Sequence, residues 1–394
     1  MTSLEAADAR PDKGGAVVVI VVVGAPALLI YACTRFTVVP GGDSGELMAM
    51  ACQRGIAHPP GYPLLTMLGS AWLGICPDLF GHAPAAKLSL LAAVLGAASA
   101  TLLSLAAAKF TSSAWAGVFA GGMFAFSGTV WKFSTHFEVF ALNNFFVSLL
   151  HYLSIKYLVD KDDWIPYAGA LACGLALTNQ HTILLLEAPL ILAVIISSRA
   201  SLLRPRSLVS LAMLFCLGLA PYLYLPWAGA AAPRGSWGAV DEVKGFIRHL
   251  LRREYGSLQL YTTGSEEGDE EASGAPWHQR SLERMHDNGL QLLHAVHDQS
   301  LGLALVLGPL GACSLFYRRE RAEGERKREA AHSLRPSGGH GVGSAIVACV
   351  AVYMTVFLPL ANLPRTGFFE PILARFWMQV RRSDPHSACS SAAP

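Results

Sequence analysis

The strongest constraint in this sequence is a run of apolar residues that keeps returning, each time almost free of charge. Residues 16–34 are the first, 19 positions without one charged side chain. As a helix rising about 1.5 Å per residue, such a run crosses roughly 30 Å of hydrocarbon. Only a helix or a closed barrel satisfies its backbone there, and no alternating strand pattern is present, so the run reads as a helix. Further runs lie at 87–109, 114–131, 139–159, 165–177, 182–197, 208–227, 300–317 and 342–361. The expected fold is therefore all-α, a polytopic membrane protein of about nine transmembrane helices. Composition agrees: 15% of residues are charged, against about 25% in soluble domains, and mean hydropathy is +0.40.

Residues 1–15 read as a polar N-terminal segment in the cytosol, and 16–34 as a signal anchor, since 34–40 lacks a small-residue cleavage site. The multi-spanning domain covers 16–361. It includes a first loop at 35–87, a long polar segment at 228–299 and a basic linker at 318–341; the tail is 362–394. Residues 64–75 are apolar but too short to span, which suits an interfacial or re-entrant helix. The pair at 165–177 and 182–197 is also short. If it is a hairpin that does not cross, the later spans keep their orientation.

Basic residues near span ends set that orientation. With the N-terminus in the cytosol, Lys109, Lys156, Lys161, Arg199, Arg204, Arg206 and the cluster from Arg318 to Arg328 all fall on the cytosolic side. The opposite side receives the first loop, His136 with Glu138, Asn179 to His181, and residues 228–299. A net charge of +2 gives no reason to expect a nucleic-acid partner. The eight cysteines form no CxxC or other metal-ligand spacing, and no metal is assigned. Most cysteines lie in apolar runs and read as small core residues; Cys52 and Cys76, in the first loop, could bridge in an oxidising lumen.

The first loop holds the densest chemistry. Gly41 to Pro63 reads GGDSGELMAMACQRGIAHPPGYP. Asp43 and Glu46 are three apart, and two readings stay open. Asp43 can cap a helix whose first turn carries Glu46. Alternatively, Asp43 is a general base for an acceptor hydroxyl, with Glu46 as a second polar contact. His58 to Pro63, with Tyr62, form a stiff proline-rich turn; His58 is either a hydrogen-bonded loop residue or a contact to a phosphate or an acceptor. His136, Glu138, Asn179 and His181 sit at span ends facing the same side. From Asp241 the apolar positions Val243, Phe246, Ile247, Leu250 and Leu251 repeat at helical spacing, ending at Arg252 and Arg253. That is an amphipathic helix on the membrane face, whose arginines either snorkel to headgroups or bind a donor phosphate.

GGDSGEL, HPPGYPL, HFEVFALNN, TNQHT, PYLYLP and LRREYG, in that order, resemble the transmembrane protein 260 family over about residues 16–380. The resemblance implies a GT-C-type membrane core and an inverting protein O-mannosyltransferase of the endoplasmic reticulum. It would transfer mannose from dolichyl-phosphate mannose to Ser or Thr in IPT domains of plexin-type receptor ectodomains. The implied partners are the bilayer, the dolichol-linked donor and those acceptors; no cofactor is implied. Asp43 matches the acidic first-loop position of such enzymes, with Glu46 next. Family members carry a further lumenal region, whereas here ARFWMQV runs into RRSDPHSACSSAAP, so a C-terminally truncated form is expected. The absence of a P-loop or GxGxxG suits a lipid-phosphate donor. Two other readings stand beside it: a transporter or channel, for which Glu187 is the main charge inside a span, and an inactive membrane scaffold.

Overall fold

The computed structural model describes residues 13–78, 82–231 and 233–253. Among them every regular element is helical and no strand occurs. The expected spans at 300–317 and 342–361, the basic linker, the acidic run at 264–274 and the tail lie outside the described residues, as do most of residues 1–15.

The first span is α1, Gly14–Thr34, with a π-turn at Ile20–Gly24. The first loop is not irregular: it contains α2 (Ser44–Gln53) and α3 (Pro63–Ile75). The 28-residue α4 (Pro84–Thr111) is central and packs along α1, α5 (Ala114–Ala125) and α7 (Val139–Asp160). α6 (Gly128–Ser134) precedes α7. α8 (Ile165–Leu177) and α9 (Ile183–Ser197) follow, then a short α10 (Arg199–Leu202) and α11 (Pro205–Gly218). A 3-10 turn, Ala220–Leu223, leads into α12 (Tyr224–Ala231), and α13 (Val243–Leu250) ends the described chain.

Two expected spans are broken. The run 114–131 is not one helix: α5 stops at Ala125, and α6 restarts after Ser127. The Ser127 hydroxyl donates back to the Phe124 carbonyl at 3.0 Å while its backbone is extended, which ends the turn. α6 then meets α7 at 115°. The run 208–227 bends by 42° at Leu219. Pro221 explains the bend, because its ring has no N–H to give and would clash with the carbonyl four residues back. Among the described residues two helices are long and apolar enough to cross a membrane, α1 and α4, or four if each bent pair is one span.

The outer surface matches a hydrocarbon solvent. Val21 and Leu29 on α1, Ile196 on α9, and Val209, Met213 and Leu217 on α11 are all more than half exposed. Inside, small residues bring helices together. α8 and α11 touch at Gly174 and Gly218, where a methyl on either would run into the other helix's backbone. Glu187 on α9 is buried and faces His151 Nδ1 of α7 at 3.0 Å, so the one carboxylate that the sequence put inside a span has a local partner. Cys52 and Cys76 are both free thiols. Cys52 is exposed at the end of α2, whereas Cys76 is buried beside Val23, Ala27 and Tyr31 and bonds the Pro77 carbonyl, so the two do not bridge.

The helices have two chemically different ends. At one, Lys109 pairs with Asp160 at 2.6 Å, Lys156 with Asp160 at 3.1 Å, and Lys161 donates to Ser197 at 3.2 Å. Chain connectivity puts Arg199, Arg204 and Arg206 at the same end. The other end collects the first loop and the turns at 135–138, 178–182 and 219–224. The basic residues grouped from sequence thus share one end of the described helices, while Arg35, Lys87 and Lys132 lie at the other.

Candidate functional site

Gly42, at φ +80, turns the chain into α2. Asp43 occupies the N-cap, where its backbone carbonyl accepts from Leu47 N–H at 3.0 Å; its side chain makes no capping bond. The cap expected from sequence is thus a position and not a side-chain hydrogen bond. The next residue, Ser44, is fully buried, and its hydroxyl donates to Glu138 Oε1 at 3.5 Å. That contact joins the first loop to the start of α7. A second tie is Phe36 N–H donating to the Thr135 carbonyl at 2.9 Å.

His136 Nε2 lies 3.6 Å from the same Glu138 oxygen, and its ring is wedged between Phe36 and Phe133. Asn179 donates its amide N–H to the Val139 carbonyl at 3.0 Å, which brings the α8–α9 turn to the same place. Four buried atoms here have no hydrogen-bond partner: Glu138 Oε2, His136 Nδ1, Asn179 Oδ1 and Gln180 Oε1. Each such group costs about 1–3 kcal/mol, and their concentration at one end marks a site under other constraints than stability.

Glu46, one turn into α2, points to His58. Its Oε1 accepts His58 N–H at 2.6 Å and its Oε2 faces His58 Nδ1 at 3.0 Å. Burial works to raise the Glu46 carboxyl, but the hydrogen bonds and charge from His58, with a further bond from the Trp237 indole, outweigh it and hold the group below its usual range. The His58 ring meets Tyr62 and Trp237 edge-on at 5.1 and 6.4 Å. The turn that presents it closes with Gly61 N–H donating to the His58 carbonyl at 2.8 Å. Gly61 has φ +96, and a side chain there would also press on Leu225 and His249; only glycine suits the position.

Residues 55–58 are laced to a distant part of the chain. Ile56 N–H donates to Ser236 Oγ at 3.2 Å, Trp237 N–H to the Ile56 carbonyl at 3.0 Å, and Tyr224 Oη to the Gly55 carbonyl at 3.2 Å. His249 Nε2, buried on α13, donates to the Ala57 carbonyl at 3.1 Å. Ser44, Tyr224, Ser236, Trp237 and His249 are among the site contacts that the sequence does not single out.

His181 Nε2 donates to Tyr222 Oη at 2.7 Å, and Tyr222 donates onward to the Leu177 carbonyl at 2.7 Å. Burial, and secondarily the charge of Arg252, push His181 down to about 4. Arg252 is therefore within electrostatic reach of the α8–α9 turn; Arg253 is exposed beside it. Of the ten residues expected from sequence, Ser44 links Asp43 to His136 and Glu138, Glu46 holds His58 with Tyr62 against it, and Asn179, His181 and Arg252 close the far side. No three metal-ligating side chains converge among the described residues.

Residues 43–204 match the family model described as Protein O-mannosyl-transferase TMEM260 N-terminal domain. The match begins at Asp43 and includes eight of the ten residues, leaving out Arg252 and Arg253. The chain is 30% identical over 385 residues to Protein O-mannosyl-transferase tmem260 of Dictyostelium discoideum, covering 93% of this chain and 43% of that protein. It is 38% identical over 265 residues to Protein O-mannosyl-transferase TMEM260 of Mus musculus, covering 65% of this chain and 37% of that protein. The chain thus spans less than half the length of the curated relatives it matches. No solved structure matches.

Proposed function

The chain belongs to the transmembrane protein 260 family, and from that premise we propose that it is a GT-C-type protein O-mannosyltransferase of the endoplasmic reticulum membrane. The donor is dolichyl-phosphate mannose and the acceptor a Ser or Thr hydroxyl of IPT domains in plexin-type receptors. The observation that carries the reading is the position of Asp43: an acidic side chain at the start of a helix, just after the first span, on the end where His58, His136, Glu138, Asn179, His181 and Arg252 gather.

In this reading the reaction is a single displacement with inversion. Asp43 takes the proton of the acceptor hydroxyl as that oxygen bonds the anomeric carbon, and the carbon–oxygen bond to the lipid phosphate breaks on the opposite face. The departing phosphate keeps the bonding electrons and needs positive charge, which Arg252 and Arg253 supply. The orphaned Asn179 and Gln180 oxygens and the Glu138–His136 pair are polar groups suited to sugar hydroxyls.

The test is mannosyl transfer from a dolichol-linked donor by microsomes carrying Asp43→Asn in a full-length relative. The substitution keeps size and removes the base, so we expect transfer to fall by 10²-fold or more. Near-normal transfer would remove Asp43 from the role.

A further inference from the structure

Glu46 and Asp43 share a helix turn, and their spacing alone pairs them as two carboxylates of one site. The contacts separate them. Both Glu46 oxygens are committed to His58, one to its backbone N–H at 2.6 Å and one to Nδ1 at 3.0 Å, and the Trp237 indole adds a third donor. A carboxylate held by three donors is a poor second base, because each bond stabilises its charged form. It is well placed to fix an imidazole. We infer that Glu46 is a positioning residue which, with His58, forms a carboxylate–imidazole dyad that presents Nε2 to the phosphate of a lipid-linked phosphodiester.

His58 Nδ1 faces a carboxylate oxygen, which only accepts, so Nδ1 carries a proton in every state of the ring. The ring's variable nitrogen is then Nε2. The edge-on contacts with Tyr62 and Trp237 hold the ring plane. The backbone of residues 55–58 is tied on both sides, by Ser236, Trp237, Tyr224 and His249, so the ring does not depend on a loose loop. Sixteen per cent of its side-chain surface is open, which leaves an edge for a ligand. Protonated, Nε2–H donates to a phosphate oxygen and Glu46 balances the ring's charge. The titratable groups around His58 are Glu46 and, one turn earlier, Asp43 on α2; Tyr62 at the start of α3; Tyr224 on α12; and His249 on α13. The ligand class rests on the mannosyltransferase reading; the dyad itself rests on geometry.

The experiment compares wild type, Glu46→Gln, His58→Gln and the double variant in the full-length chain. It measures dolichyl phosphate binding and mannosyl transfer. Glu46→Gln keeps an acceptor for the His58 N–H and removes the charge. It should raise the donor KM about tenfold and leave the acceptor KM unchanged. His58→Gln should raise the donor KM at least as far, and the double variant should be no worse than His58→Gln, since the two act as a unit. Additive losses, a changed acceptor KM, or an unchanged donor KM would overturn the dyad. If Glu46→Gln fails to fold, the split between donor and acceptor KM in His58→Gln decides alone. Dolichol and inorganic phosphate at matched concentration separate chain from headgroup: equal binding of dolichol by wild type would overturn phosphate recognition. If wild type binds dolichyl phosphate in a His58-dependent way but transfers no mannose, the dyad stands and the mannosyltransferase reading fails.

Discussion

His181 is a half-buried titratable ring bonded to Tyr222 at the α8–α9 turn, and its depressed pKa ties the protein's stability to pH. Its folded value of about 4 lies below the ordinary histidine value near 6.5. Between those limits the unfolded chain binds a proton that the folded chain refuses. Stability is therefore full above about pH 6.5 and is lost as pH falls toward 4. A shift of that size corresponds to a loss on the order of 3 kcal/mol at the acid end. Thermal unfolding of detergent-solubilised protein at pH 7.0, 6.0 and 5.0 should show a falling midpoint. His181→Gln, which keeps a donor for Tyr222 Oη, should flatten that fall. Equal slopes for the two proteins would mean that the sensitivity arises elsewhere. At neutral pH the same burial keeps His181 neutral, so the ring offers hydrogen bonds and not charge. Positive charge beside this turn comes from Arg252.

Among the elements, α13 shows best what periodicity can and cannot reveal. The repeat from Val243 predicted an amphipathic helix, and one is present. Val243, Ile247 and Leu251 form a stripe of spacing four at 76, 41 and 45% exposure, beside exposed Lys244 and Arg248. An apolar stripe beside cations suits a bilayer surface. A fluorescent label at Ile247→Cys in reconstituted protein should show blue-shifted emission and quenching by lipid-borne nitroxides. The same label at Glu242→Cys should remain in water. An Ile247 label as solvent-exposed as the Glu242 label would detach the helix from the membrane. What periodicity could not reveal is the helix's other side: His249 reaches the Ala57 carbonyl across 192 residues of sequence, and no local pattern encodes such a contact. The same holds for Trp237 on Glu46 and Ser44 on Glu138. Helix limits were legible where a local signal existed. α8 begins with Pro166 in its first turn and ends at a polar Thr-Asn-Gln-His turn, and both signals stand in the local sequence. They were lost where one residue decides, as at Ser127 and Pro221, because an apolar run looks the same whether or not it bends.

At the scale of the whole molecule, the two ends of the helix bundle differ in kind, and this fixes which face works. The pairs Lys109–Asp160 and Lys156–Asp160 lie near the surface, where such pairs contribute about 0–1 kcal/mol each. Their importance is direction: basic residues beside span ends stay on the cytosolic side of a membrane. Among the described residues the site end carries Arg35, Lys87 and Lys132 at its span ends against six basic residues at the other, and it holds the acidic and histidine side chains that the proposed reaction needs. A lumenal reaction therefore requires the Asp160 end to face the cytosol. Two exposed positions test it. Gly41 has open space around an added side chain, just before Asp43, and Asp163 is exposed in the α7–α8 turn. In a background without native cysteines, Asp163→Cys should react with a membrane-impermeant maleimide in sealed microsomes. Gly41→Cys should react only after the vesicles are permeabilised. Labelling of Gly41→Cys in sealed vesicles would turn the molecule over, placing Asp43 on the face opposite the lumenal acceptors and removing the proposed reaction with it.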